Sequence, residues 1–126
     1  MSESAGATES AFVRLETRQD KGVGGVMVFL CEKVTEREAK FIEEEMASAA
    51  SKNKWKLAAD LSQVTILSSS GLGMLVNLNK QFRVQKGRLV VCGLSDDITQ
   101  VMKLTRLDSL LTIVPDRKAA EKALDK

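Results

Sequence analysis

Residues 60–75 read DLSQVTILSSSGLGML and are the most informative segment for the fold class. It begins at the end of a predicted strand, residues 56–61, and runs into an apolar-rich segment that predicts a helix over residues 70–86. Three consecutive serines and a glycine stand at the junction. Because parallel α/β sheets gather ligands and reactive groups where a strand ends and the next helix begins, this junction is the candidate functional site.

The segments on either side of this stretch alternate between strand and helix patterns. The predicted order is β-β-α-β-α-β-α-β-α, with strands over 12–17, 26–31, 56–61, 89–92 and 110–114 and helices that start near Thr35, Ser70, Ser95 and Asp116. A short connection makes the first two strands an antiparallel pair, and the later alternation predicts parallel strands. We expect a single α/β domain over residues 11–126, behind a flexible tail of residues 1–10. Its sheet is mostly parallel with four to five strands, of which the N-terminal one is antiparallel, and it carries about four helices.

Helical spacing also predicts where two helices end and which side chains they bury. Gly87 follows the helix over residues 70–86 as a predicted C-cap. In the next helix, the side chains predicted to face the core are Ile98, Val101, Met102 and Thr105.

The amino-acid inventory excludes most catalytic chemistry. The sequence has no histidine, which removes the commonest general base, the commonest zinc ligand and every Ser-His or Cys-His pair. Cys31 and Cys92 lack CxxC spacing and predict free, buried thiols of a reducing compartment. No phosphate-cradling GxxxxGK[ST] string occurs, and the GLG of residues 71–73 lacks the third glycine of a dinucleotide fingerprint. We therefore expect no metal, no cofactor and no enzymatic activity.

Charge balance and apolar runs argue against nucleic-acid and membrane partners. Lys and Arg number 19 against 17 Asp and Glu, a formal net charge of +2, which is too weak and too evenly spread for a nucleic-acid protein. The longest strongly apolar run, residues 23–31, is far shorter than the ~20 residues that span a bilayer. Residues 1–10 have no basic residue and no apolar run, so they do not predict a signal peptide. The expected location is the cytoplasm.

The serine run at the junction has two interpretations from spacing alone. In the first, one serine caps the helix by accepting a backbone N–H, and Gly71 allows close packing. In the second, a serine carries a phosphate, which would meet free N–H donors and the positive end of the helix dipole. The phosphate would bring about −1.5 to −2 charges, enough to remodel a binding face.

Residues 60–75 resemble the signature of the STAS domain family, in its anti-sigma-factor antagonist branch. The resemblance continues through residues 88–94 (RLVVCGL) and residues 98–111 (ITQVMKLTRLDSLL), which are similar to the family's next strand and third helix. Residues 113–124 resemble its closing strand and helix. The resemblance covers about residues 12–124 and is strongest from Asp60 onward.

The resemblance implies a phosphorylation switch rather than an enzyme. Unphosphorylated members of the family bind an anti-sigma factor, often itself a serine kinase, and so release a sigma factor for transcription. Phosphorylation by that kinase ends the complex, and a phosphatase resets it; the kinase brings ATP and Mg²⁺. The family's acceptor serine falls on Ser69, and Ser70 corresponds to the adjacent helix-capping serine. Ser68 is the other neighbouring cap or alternative acceptor.

Two departures from the family pattern concern the charges beside the acceptor. The family commonly has Asp directly before the acceptor and at the start of the first helix, where this chain has Ser68 and Thr35. A phosphate on Ser69 would therefore meet less like-charge repulsion, and a different kinase or acceptance at Ser68 stays open. The residues expected to shape the site are Thr35, Asp60, Gly71 and Gly73.

A second stripe on the helix over residues 70–86 is the expected partner face, and it consists of Leu72, Val76, Asn79 and Arg83. This mixture of apolar and polar side chains beside Ser69 suits a transient interface. Alternatively, Leu72 and Val76 pack on a neighbouring helix. The acidic residues 43–45 predict a solvated face.

The expected partners are an anti-sigma factor with serine kinase activity and a phosphatase, and the expected state is a monomer or weak homodimer. The alternative function is a non-switching STAS scaffold or sensor that binds a small ligand or self-assembles. In that case residues 68–70 only cap a helix.

Overall fold

The chain forms a five-stranded sheet and a separate pair of short strands. The computed structural model describes residues 12–125, so the predicted tail, residues 1–10, lies outside the described residues. The strands in the described range are β1 (Val13–Thr17), β2 (Gly25–Phe29), β3 (Lys33–Val34), β4 (Lys56–Asp60), β5 (Ile66–Leu67), β6 (Arg88–Cys92) and β7 (Thr112–Val114). The large sheet has the order β1-β2-β4-β6-β7, and β3 pairs with β5.

Strand directions confirm the predicted mixed sheet. β1 is antiparallel to β2, whereas β2, β4, β6 and β7 are mutually parallel. Parallel neighbouring strands require a crossover connection, and in this chain each crossover contains a helix. The sequence did not predict β3 and β5, because strands of two residues are too short to show a period of two.

Helices connect the strands after β3. Within residues 12–125 they are α1 (Glu36–Ser51), α2 (Ser69–Val84), α3 (Asp96–Leu104), a 3-10 helix (Leu107–Ser109) and α4 (Arg117–Ala123). Each α-helix follows a polar N-cap, as predicted: the caps are Thr35, Ser68, Ser95 and Asp116. Ser68 is the cap of α2, so Ser70 is not, contrary to what the family resemblance implied. Ser70 lies within the first turn, because α2 already begins at Ser69.

Core side chains fill both faces of the large sheet. On one face, α1, α2 and α3 cover the larger cluster, which includes Met27, Phe29, Ile42, Leu78 and Phe82. On the other face, α4 covers a smaller cluster with Val26, Val28, Val90, Cys92 and Leu124. Alternate residues of β2 thus point to opposite clusters, as expected for a strand buried on both faces.

Arg18 holds the last described residues against the turn between β1 and β2. Its side chain has no exposed surface, and Nη2 lies 2.6 Å from Asp20 Oδ2 and 2.7 Å from Asp125 Oδ2. Nη1 also donates to the carbonyl oxygen of Val23 at 2.7 Å. Hydrogen bonds from Arg18 lower the pKa of Asp20 to about 2 and lower the pKa of Asp125. This network joins two chain segments that are distant in sequence.

Three local predictions were wrong. Leu110 does not belong to the last strand: its N–H donates to the carbonyl oxygen of Leu107, and its side chain is 52% exposed. Val101 and Thr105 do not face the core, because α3 buries only Ile98 and Met102. Val101 is 40% exposed.

The third wrong prediction is Gly87 as a C-cap. Lys86, not Gly87, takes the left-handed conformation after α2, with φ of 60°. Gly87 is required for another reason, because a Cβ there would collide with the carbonyl oxygen of Trp55.

Candidate functional site

The paired short strands place the starts of α1 and α2 side by side. Val34 stands opposite Leu67 in the parallel β3–β5 pair, and the N–H of Ser68 donates to the carbonyl oxygen of Val34 at 2.9 Å. The residue after each of these two strands is an N-cap, Thr35 for α1 and Ser68 for α2. The two positions at which the family commonly has Asp are thus neighbours in space.

The three serines at the start of α2 have different environments. Ser68 is half-buried, and its hydroxyl accepts a hydrogen bond from the N–H of Gly71 at 3.2 Å. Ser70 is half-buried, whereas Ser69, the first residue of the helix, is exposed. Ser69 is therefore the most exposed residue of the three.

The N-terminus of α2 offers unused hydrogen-bond donors and an uncompensated positive dipole. Among the residues that the structure describes, none accepts from the N–H groups of Ser69 and Ser70. The first turn of α2 contains no acidic residue, whereas the first turns of α1 and α3 contain two each. Because the start of a helix carries about half a positive charge, the start of α2 favours an added anion.

Gly71 and Gly73 have different roles in the first turns of α2. A Cβ on Gly71 would lie 2.5 Å from Leu67 Cδ1 and 3.1 Å from the carbonyl oxygen of Val34. Gly71 is therefore required for α2 to approach the β3–β5 pair. A Cβ on Gly73 would have nothing within 4 Å. Gly73 is exposed and has no packing role within residues 12–125.

Glu38 brings a negative charge to the edge of the site. Its Oε1 accepts from the N–H of Thr35 at 2.9 Å and from the Thr35 hydroxyl at 2.5 Å. These hydrogen bonds, the one from the side chain first, lower the pKa of Glu38. The sequence predicts this capping box, but the prediction of a neutral hydroxyl at Thr35 did not include the charge of Glu38. The structure instead places the carboxylate of Glu38 on the cap of α1.

Asp60 shapes the loop that leads into the site. It lies at the end of β4, and its Oδ1 accepts from the N–H of Ser62 at 3.0 Å. Opposite it on the neighbouring strand β6, Cys92 is fully buried. Burial, helped by the charge of Asp60, raises the pKa of the Cys92 thiol to about 12. Cys31 is a free thiol as predicted, but it is only half-buried. Neither thiol is poised as a nucleophile.

The four residues of the predicted partner stripe on α2 differ in their exposure. Leu72 is only 9% exposed and belongs to the core cluster. Val76 is half-buried, and Arg83 is exposed. Asn79 is half-buried, and its Nδ2 donates to the carbonyl oxygen of Leu110 at 2.8 Å. Val76 and Arg83 therefore offer more surface to a partner than Leu72 does.

The described part of the chain contains neither a candidate metal-binding cluster nor a candidate membrane-spanning helix. Within residues 12–125, no three or more His, Cys, Asp or Glu side chains are grouped so that they could hold a metal ion. In the same range, no helix has both the length and the apolar character needed to cross a membrane.

Comparison with known proteins identifies the family. The model of the STAS domain matches residues 14–120, so the chain belongs to the STAS domain family. BtrV of Bordetella bronchiseptica, whose name describes it as an anti-sigma factor antagonist, is 28% identical over 109 residues, 86% of this chain and 94% of its own length.

Solved structures share the fold. The anti-sigma-factor antagonist (STAS) domain protein of Planctomyces limnophilus superimposes with a TM-score of 0.77 at 21% identity, over 90% of this chain and 98% of that one. The Bacillus cell fate determinant SpoIIAA in its phosphorylated form gives a TM-score of 0.63 at 16% identity, over 88% of this chain and 98% of that one. The chain thus has the fold of anti-sigma factor antagonists.

Proposed function

We propose that this protein is an anti-sigma factor antagonist whose binding is switched by phosphorylation of Ser69. The observation that carries the proposal is the exposed Ser69 hydroxyl at the start of α2, beside unused N–H donors and without an acidic residue in the first turn. The names of BtrV and of the Planctomyces protein support the antagonist role. The phosphorylated form of SpoIIAA supports a covalent switch on this fold.

The environments of the serines favour Ser69 over its neighbours as the acceptor. A kinase must reach the hydroxyl, and Ser68 and Ser70 are both half-buried. The Ser68 oxygen also accepts the N–H of Gly71, which ties it to the helix start. Modifying Ser68 would disturb this cap, whereas modifying Ser69 leaves it in place.

Phosphorylation would change the charge of the site more than its fold. The kinase would transfer the γ-phosphoryl group of ATP to Ser69 Oγ, forming an O–P bond as the bond to ADP breaks, and its own base would take the hydroxyl proton. The product carries about −1.5 to −2 charges. The dipole of α2 stabilises this charge, whereas the carboxylate of Glu38 on the neighbouring cap repels it. A partner seated on α2 would lose affinity through this added charge.

The partner face that we propose is the outer face of α2, defined by Ser69, Gly73, Val76, Lys80 and Arg83. These positions recur at spacings of three and four, so they lie on one side of the helix. Gly73 is exposed where alanine would fit freely, and glycine in a helix costs about 1 kcal/mol relative to alanine. A partner that approaches the backbone closely would explain why the chain carries this cost. Leu72 and Asn79, from the predicted stripe, border this face.

The partner on this face is proposed to be an anti-sigma factor with serine kinase activity, and a phosphatase would reset the switch. The chain would contribute the hydroxyl and the binding surface, not catalysis, and would act in the cytoplasm. It would bind neither nucleic acid nor membrane, and would be a monomer or weak homodimer when free.

A phosphotransfer experiment tests the acceptor. The chain is incubated with a serine-kinase anti-sigma factor, ATP and Mg²⁺, and its intact mass is measured with and without later phosphatase treatment. We expect an added mass of about 80 Da on the wild type and on Ser68→Ala, and none on Ser69→Ala. Equal phosphate uptake by Ser69→Ala and the wild type would overturn the assignment.

A binding experiment tests the switch and the face. Ser69→Asp is expected to weaken the complex at least about tenfold, and Ser69→Ala is expected to hold the partner even when ATP is added. Val76→Glu should also weaken binding, whereas Val23→Glu is the matched control, because Val23 is 47% exposed and lies outside α2, between β1 and β2. If Ser69→Asp binds as tightly as the wild type and the free chain forms a large stable assembly, the non-switching scaffold is the better description.

A further inference from the structure

The lysines and arginines of this chain are concentrated at one end of the molecule. Residues 46–95 contain seven Lys and Arg but one acidic residue, Asp60. Asp60 ends β4, at the carboxyl edge of the sheet. Lys54, Lys56 and Lys86 lie instead at the opposite edge, where the parallel strands β4 and β6 begin. The charges are therefore not evenly spread over the fold, contrary to the prediction from the sequence.

Four exposed cations at this end have a left-handed backbone conformation. Lys21, Lys54, Lys86 and Arg106 have φ of 61°, 57°, 60° and 61°. Because β2, β4, β6 and β7 are parallel, the connections that lead into them return to the same edge of the sheet, and each connection contains one of these cations. We call these four residues the basic edge.

The two central turns of the basic edge are bound to each other. The N–H of Arg88 donates to the carbonyl oxygen of Trp55 at 2.7 Å, and a side chain at Gly87 would collide with the same carbonyl. These contacts fix the backbones of Lys54 and Lys86 at the starts of neighbouring strands, which run roughly 5 Å apart.

The two outer connections flank this pair. A Cβ on Gly24 would lie 3.0 Å from Lys56 Cβ, so the turn that carries Lys21 packs on the start of β4. On the other side, a cavity of about 250 Å³ lies between the end of α2 and the loop that leads into β7, and Arg83 and Leu110 line it from these two segments. The fourth cation precedes that loop. The basic edge thus extends along one side of the molecule.

Glycine is the residue that usually takes such conformations. A left-handed backbone costs an L-residue free energy that glycine avoids. Lys86 and Arg106 directly follow the C-caps of α2 and α3, the position at which helices most often have glycine. The chain thus has charged side chains where its backbone favours none, and a binding role of the charges would account for them.

Compensation of helix dipoles does not account for the whole basic edge. A helix C-terminus carries roughly half a negative charge, which the cations after α2 and α3 could offset. Lys21, however, lies in the turn between two strands. Asp20, its neighbour in the chain, pairs with Arg18 instead, at 2.6 Å. None of the four cations makes an ion pair within residues 12–125.

Exposed apolar side chains accompany these cations. Val84 is 77% exposed and Leu104 is 78% exposed, more than any other large apolar residue in the described range. Each stands two positions before a cation of the basic edge, Lys86 or Arg106. Phosphate backbones are bound by polar and charged groups, whereas aliphatic groups gain by burial against other apolar groups. The mixture therefore fits an acidic protein segment better than a nucleic acid.

A lipid surface fits this end less well than a protein. Binding at a lipid interface draws on aromatic anchors. The Trp55 ring instead makes an edge-on contact with Phe82, with ring centroids 5.3 Å apart, and Trp55 is half-buried. No exposed aromatic residue lies in the four connections that carry the basic edge.

We propose that the basic edge binds an acidic, amphipathic segment of a partner protein. The carboxylates of this segment pair with the four cations, and its apolar side chains cover Val84 and Leu104. Because α2 has 16 residues, Val84 lies roughly 20 Å along the helix from Ser69. The chain can therefore hold this segment in either phosphorylation state, which gives it a second binding surface.

A synthetic peptide tests the surface without any natural partner. The probe contains only Glu and Leu in alternating pairs and has about twelve residues, enough to follow the edge when extended. The control peptide has Gln in place of every Glu. Calorimetry and the emission of Trp55, the single tryptophan, follow binding to the full chain. We expect saturable binding of the acidic peptide that weakens as salt rises from about 50 to 500 mM, and at least tenfold weaker binding of the control peptide.

Glycine variants separate binding from folding. Lys54→Gly and Lys86→Gly should each weaken peptide binding about threefold or more, because each removes one positive charge. Both should also raise the melting temperature by about 2–4 °C, because glycine relieves the left-handed backbone. Lys33→Gln is the matched control, since Lys33 is an exposed lysine of β3, outside the basic edge, and it should leave binding unchanged.

Three results would overturn the proposal. The first is no saturation by the acidic peptide below about 1 mM. The second is unchanged binding by the glycine variants, or an equal loss in Lys33→Gln. The third is tighter binding of duplex DNA, or of phosphatidylserine vesicles, than of the acidic peptide. The titrations need no anti-sigma factor, so their outcome is separate from that of the switch.

Discussion

The backbone N–H of Ser68 donates a hydrogen bond of 2.9 Å to the carbonyl oxygen of Val34. This bond continues the β3–β5 pairing by one residue and sets the N-caps of α1 and α2 next to each other. A charge added at Ser69 would therefore lie near the starts of both helices. At the start of α1, Glu38 already places a carboxylate. The site is a junction between two helix starts rather than the start of one.

Capping and phosphate acceptance can be separated at adjacent serines. Ser68→Ala should lower the free energy of unfolding by about 1 kcal/mol, because it removes the acceptor for the N–H of Gly71. Ser69→Ala should change it by less than ~0.5 kcal/mol, because Ser69 is exposed and its side chain is not the cap. Urea unfolding of both variants measures the difference. Equal losses would mean that Ser69 shares the cap.

The two glycines of α2 give a second matched pair. Gly71→Ala should destabilise the protein by about 1–3 kcal/mol, because the new Cβ meets Leu67 and the backbone of Val34. Gly73→Ala should stabilise it by about 0.5–1 kcal/mol, because its Cβ enters open space in a helix. Thermal unfolding measures both.

Gly73→Ala also tests the partner face. If the partner approaches the backbone at Gly73, this variant should bind the anti-sigma factor less tightly than the wild type although it folds more stably. Unchanged affinity would remove Gly73 from the interface.

Acid sensitivity should arise from the Arg18 network. Arg18 holds the pKa of Asp20 at about 2 and lowers that of Asp125. A carboxyl group whose pKa is lower in the folded state stabilises the fold above its unfolded pKa, near 4, and loses this effect as the pH falls through its folded pKa. The free energy of unfolding should therefore fall from about pH 4 toward pH 2.

Arg18→Met should make this acid dependence shallower and should lower stability at neutral pH. Arg83→Met is the control, because Arg83 makes no ion pair within the residues described. Denaturant unfolding between pH 7 and pH 2 compares the three proteins. A wild-type slope that persists in Arg18→Met would assign the acid sensitivity to other carboxylates.

The two thiols should differ in reactivity in the native state. Cys92 is fully buried and its pKa is raised to about 12, so at pH 8 only about one thiol in ten thousand is ionised. Cys31 is half-buried, and burial also raises its pKa. Modification by a disulfide reagent should therefore be slow in Cys31→Ser, which retains Cys92, and faster in Cys92→Ser. Denaturant should remove the difference, and equal native rates would contradict it.

The α/β order, the antiparallel first pair and the position of the candidate site could all be predicted from the amino-acid sequence. These follow from local patterns: apolar runs long enough to show a period, polar residues at helix starts, and the stretch over residues 60–75. The same stretch carried the family resemblance, which the match over residues 14–120 confirmed. Predictions from local patterns were wrong where a segment was very short or where its conformation depended on a contact with a distant segment.

The surroundings of the site and the cavity at the far end of α2 depend on contacts between distant segments. The β3–β5 pair has two residues in each strand, and its pairing is between segments more than 30 positions apart. Gly87 is needed because of Trp55, which no local turn rule includes. Arg83 and Arg88 lie on a helix and on a strand, and they share a cavity only because α2 packs beside β6. Propensity and spacing act over a few residues, whereas such contacts exist only once the whole sheet is assembled.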